Sequence, residues 1–89
     1  MKKHIRIEHL LPKVLCASMT KLYVDGERVR CHEIEPLCKE DFLHMKLQKE
    51  ETDLGTLMFI EFDGFVKLEE YDNGGGTQIR ALISIEEEI

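Results

Sequence analysis

Long apolar stretches are missing from this sequence, and with them the simplest route into a membrane. No run approaches the roughly 18 apolar residues that a spanning helix needs. Met1-Lys2-Lys3 is basic enough to open a signal peptide, but His4, Arg6, Glu8 and His9 interrupt the apolar segment that should follow. A cytoplasmic location is therefore expected. Cysteine is scarce and odd in number, at Cys16, Cys31 and Cys38. A small secreted domain would show an even, denser set, so reduced thiols are the simpler reading. Basic residues are too few for a general binder of phosphate backbones. The chain holds 12 basic and 18 acidic side chains, a formal net charge of −6, and affinity for nucleic acid comes from basic contacts.

Motifs for chemistry are missing as well. Gly74-Gly75-Gly76 lacks the Lys-Ser/Thr and the following helix of a phosphate loop, and Thr77-Gln78-Ile79 starts a strand instead. Cys31, His32, Cys38 and His44 lack the paired two-to-four-residue spacing of a zinc motif, and Cys31 falls on an expected core face. No segment around Cys16, Cys38, Ser18 or Ser84 resembles an activated nucleophile with its base. Glu69-Glu70 and the Glu33/Glu35 pair read as solvated edges, and the Asp72 loop lacks the spaced oxygens of a calcium hand. The sequence assigns no catalytic residue, no cofactor and no metal, and it favours binding over catalysis.

Extended structure is what remains. Eighty-nine residues, 43% of them apolar, fit one folded domain over 1–89 with a small core. His4-Ile5-Arg6-Ile7-Glu8-His9 alternates polar and apolar side chains, as a half-buried strand does. Residues 21–31 form a hairpin around Asp25-Gly26, whose positive φ angles suit a two-residue turn. That turn sets Leu22 opposite Val29 and Tyr23 opposite Arg28. Asp63-Gly64 invites a second hairpin over 57–68, with a glycine bulge pairing Ile60 with Val66 and Met58 with Leu68. Ile79, Ala81, Ile83 and Ile85 then alternate in a further strand, so that 56–86 reads as a three-stranded meander. A short helix over 12–19 competes with loop or irregular strand, residues 37–50 read as a strand over 42–48 with a helix over 37–49 as the alternative, and Glu50 to Asp53 reads as a polar connection.

The expected fold is mainly β, a small antiparallel barrel or two-layer sandwich with at most one or two short helices; α+β is the alternative. The expected core is Ile5, Ile7, Leu22, Val29, Met58, Ile60, Val66, Leu68, Ile79, Ala81, Ile83 and Ile85.

Charge is unevenly spread. Residues 1–30 are net +4 and residues 31–89 are net −10. In the register above, Lys21, Tyr23, Arg28, Arg30 and His32 project from one side of the first hairpin. A basic stripe with one aromatic suits an acidic protein surface, with Tyr and Arg as anchors. A single aromatic and the net −6 argue against nucleic acid. The acidic set, Glu50, Glu51, Asp53, Glu69, Glu70, Asp72 and Glu86 to Glu88, can imitate a nucleic-acid backbone in a basic groove, or meet the stripe of another copy.

These features point to a small acidic intracellular protein-binding module without enzymatic activity, of the inhibitor, antitoxin, immunity or phage-antagonist kind. Its partner is a protein or a second copy. The alternatives are a homo-oligomeric assembly protein and a Cys/His metal-binding protein.

Overall fold

A computed structural model describes residues 1–14, 19–36 and 46–86. Seven strands and no helix occur among them: β1 (Lys3–Pro12), β2 (Met19–Val24), β3 (Glu27–Val29), β4 (Glu33–Pro36), β5 (Gln48–Thr52), β6 (Gly55–Asp72) and β7 (Thr77–Ser84). The strand order is β3-β2-β1-β6-β7-β4, with β5 also paired to β6. The mainly β expectation is met by an open sheet that curls into a half-barrel. The expected helices over 12–19 and 37–49 fall largely on residues 15–18 and 37–45, outside the described residues. At their described ends, Pro12 belongs to β1, Met19 to β2 and Gln48-Lys49 to β5.

The first hairpin forms in the expected register. Asp25 and Gly26 have φ of 52° and 83°, the left-handed pair that a two-residue turn needs. Leu22 stands opposite Val29 and Tyr23 opposite Arg28.

The second expected hairpin does not form, and the meander over 56–86 goes with it. β6 runs unbroken for 18 residues through Asp63-Gly64. Gly55–Gly64 pairs with β1, and Phe65–Asp72 pairs with β7. Ile60 therefore lies opposite Ile7 rather than Val66, and Val66 lies opposite Ile83. Gly64 lacks the positive φ of a turn glycine. It is buried where β6 changes partners, and a Cβ there would sit 2.3 Å from the Ser84 carbonyl oxygen and 3.0 Å from the Phe62 ring. Its role is close approach, not reversal. The segment read as a polar connection is strand β5, joined to β6 by a tight turn at Asp53-Leu54. There Thr52 Oγ1 donates to the Gly55 carbonyl at 2.8 Å.

β6 thus belongs to two halves of the sheet. β1, β2, β3 and β5 lie along its first half, and β7 and β4 beside its second. β4 runs parallel to β7 on the side away from β6, entered from β3 through the short link of Arg30, Cys31 and His32. The core lies between the halves. Ile5 and Leu22 from one meet Ala81 and Ile83 from the other, with Ile7, Val24, Val29, Cys31, Ile34, Phe62 and Val66 packed around them. Full burial of each large aliphatic side chain stabilises the fold by about 1.5–3 kcal/mol. Leu68, an expected core residue, is 53% exposed.

Candidate protein-binding face

Alternation along β1 places Ile5 and Ile7 inward and His4, Arg6, Glu8 and Leu10 outward. Cross-strand partners share a face, so Lys21, Tyr23 and Arg28 join this outer face from β2 and β3, and Leu57, Phe59, Glu61 and Asp63 join it from β6. Glu50 of β5 lies opposite Leu57 on the same side.

The upper part of this face is an ion-paired network. Arg6 lies over the Phe59 ring at 4.0 Å and bonds to Glu8 at 3.2 Å and to Glu61. His4 Nε2 lies 2.9 Å from Glu61 Oε2, and Nδ1 lies 3.4 Å from Asp63 Oδ1. Hydrogen bonds to Glu61 and Asp63 raise the His4 pKa above its ordinary value. His4, Arg6, Glu8, Tyr23 and Gly26 line a shallow depression of about 310 Å³ here.

The lower part is apolar. Leu10, Leu54, Leu57, Thr52 and Asp53 line a depression of about 410 Å³. A narrower one of about 120 Å³, between Glu8, Leu10, Lys21 and Leu57, continues it across β1. The two adjoin at Leu10 and Leu57, and together this row of depressions, from the β5–β6 turn to β2, is the furrow. Leu54, at the tip of that turn, is 73% exposed.

The outer face of the other half carries a second charge cluster. Arg80 of β7 lies over the Tyr71 ring at 4.4 Å. Its guanidinium is 3.3 Å from Glu33, 3.7 Å from Glu35 and 3.6 Å from Glu69. The Glu33 hydrogen bond and the neighbouring carboxylates raise the Arg80 pKa. Three carboxylates share one cation, so the cluster keeps a net negative charge.

The five stripe residues end in different places. Lys21, Tyr23 and Arg28 share the outer face of the first hairpin. Arg30 follows β3 in the link. His32 turns to the other half of the sheet: its N–H donates to the Ile79 carbonyl at 2.8 Å, and its Nδ1 accepts the Ile79 N–H at 2.9 Å. Among the described residues, Lys21, Arg28 and Arg30 enter no ion pair. Burial raises the Cys31 thiol pKa, which disfavours the thiolate form. Among the described residues no group of three His, Cys, Asp or Glu side chains is arranged to hold a metal, and no helix is long and apolar enough to cross a membrane.

Sequence reading overlooked Leu10, Leu54 and Leu57 as a site. A signal was present. Leu10 continues the polar row His4-Arg6-Glu8, and Leu57 begins the row Phe59-Glu61-Asp63, so each is apolar where its own alternation calls for a polar residue. The Arg80 cluster had no local signal, because Glu33 and Glu35 come from a strand more than forty residues away.

No protein-family model, curated protein or solved structure matches the chain.

Proposed function

We propose that this chain is a small acidic protein-binding module that acts by occupying its partner, as an inhibitor, antitoxin or immunity protein does, rather than by catalysis. One observation supports this reading above the others: the Leu10–Leu54–Leu57 furrow on an outward strand face. A contiguous apolar group on an outward row, rimmed by polar residues, is the kind of surface at which proteins meet. The surrounding face suits that use. Tyr23, Phe59 and Arg6 lie beside it, and aromatic and arginine side chains contribute most to interface affinity. Two of these are already ordered, because Arg6 is held by Phe59 and Glu61, which lowers the entropy lost on docking.

Affinity capture from the native host, with wild-type protein and the Leu54→Asp variant side by side, tests the reading. Leu54 is exposed, so the variant keeps its fold. Wild type should retain one partner in stoichiometric amount and Leu54→Asp should lose it. Absence of any saturable partner, or retention unchanged by Leu54→Asp, would refute the proposal.

A further inference from the structure

We infer that the furrow takes an extended segment of a partner protein in which a bulky aliphatic or aromatic residue is flanked by lysine or arginine. The inference rests on the protein-binding reading and gives the partner its chemistry.

The furrow has an apolar floor and an unequal rim. Leu10, Leu54 and Leu57 supply the floor. Around it stand the carboxylates of Asp53 and Glu8, which line the furrow, and of Glu50, which shares the face with Leu57. Among the described residues that line it, Lys21 is the one cation. A side chain that fills the floor therefore brings its neighbours against three carboxylates and one ammonium. Basic neighbours are attracted there, and acidic ones are repelled. Glu8 already bonds to Arg6, so Asp53 and Glu50, on the side of the β5–β6 turn, carry most of the attraction.

The dimensions favour an extended chain. From the β5–β6 turn the furrow crosses β6 and β1 to reach β2, passing Leu57, Leu10 and Lys21 in turn. Neighbouring strands are about 4.8 Å apart, so this crossing is roughly 10–15 Å long. An extended segment rises about 3.3 Å per residue and spans it with about four residues. The depression is wider at the Leu54 end, about 410 Å³ against about 120 Å³ at the Lys21 end. The anchor residue accordingly belongs at the Leu54 end, beside Asp53.

Fluorescence anisotropy with labelled nine-residue peptides tests the assignment. One peptide carries a central leucine flanked by lysines and arginines. A second has glutamates in place of the basic residues, and a third has alanine in place of leucine. The basic-flanked leucine peptide should bind saturably, and the other two at least ten-fold more weakly. Asp53→Asn with Glu50→Gln should weaken its binding several-fold and flatten its salt dependence, while Leu54→Asp should abolish its saturable binding. Amide shift changes should map to β1, β5 and the start of β6. Equal binding of basic and acidic peptides would overturn the inference, as would shift changes centred on Arg80. So would a concentration-dependent dimer of the chain that Leu54→Asp dissolves, because the occupant would then be a second copy. If host capture yields a partner sensitive to Leu54→Asp but the acidic peptide binds best, the partner chemistry fails and the binding function stands.

Discussion

At the scale of single residues, two glycines after aspartate do opposite work. Gly26 supplies the positive φ of a turn, whereas Gly64 lets the Ser84 carbonyl pass where a methyl group would collide. Gly64→Ala should therefore cost about 1–3 kcal/mol, as overpacking does. Gly75→Ala, where the nearest atom outside its chain neighbours lies 3.5 Å from the new Cβ, should stay within about 0.5 kcal/mol. Urea unfolding of the two variants checks this. His4 gives a second residue-scale prediction. Glu61 and Asp63 raise its pKa in the folded state, so the folded protein holds the His4 proton more tightly than the unfolded chain does. That stabilisation is complete below the unfolded value of about 6.5 and is lost as pH rises through the higher folded value. The urea midpoint of wild type should fall across that window, and His4→Gln should flatten the fall. An unchanged slope in His4→Gln would contradict the assignment.

At the scale of elements, the first hairpin was legible because turn chemistry and hydrophobic pattern agree there. At Asp63-Gly64 the pattern could not arbitrate and the turn signal misled. Met58, Ile60, Phe62, Gly64, Val66 and Leu68 keep one parity throughout, which a continuous strand and a hairpin with a glycine bulge satisfy alike. Threonine substitutions separate the two Asp-Gly pairs. Asp25→Thr forces a β-branched residue to a φ of 52° and should cost about 1 kcal/mol or more. Asp63→Thr sits within a strand and should stay within about 0.5 kcal/mol. Strand β4 makes a further case. It pairs with β7 alone among the described residues, and Arg80 holds its Glu33 and Glu35. Arg80→Met would leave Glu33, Glu35 and Glu69 facing one another. Amide exchange at Ile34 and Glu35 should accelerate, and added salt should partly reverse the effect by screening that repulsion.

At the scale of the whole molecule, the fold class was readable and the face was not. Alternation in β1, β2 and β7 and the Asp25-Gly26 turn are local, and they identified Ile5, Leu22, Ala81 and Ile83 as core. The site depends on which strands become neighbours. Leu10 meets Leu57 because β1 pairs with the first half of β6, a contact between segments 47 residues apart that no local pattern encodes. The same pairing puts Arg6 over Phe59 and His4 beside Glu61. Everything proposed for the furrow therefore rests on β6 being one continuous strand shared by both halves of the sheet. Cross-strand nuclear Overhauser effects measure that directly. The structure predicts contacts of Ile60 with Ile7 and of Val66 with Ile83, and none between Ile60 and Val66. Close Ile60–Val66 contacts, the mark of a hairpin turning at Asp63-Gly64, would contradict it.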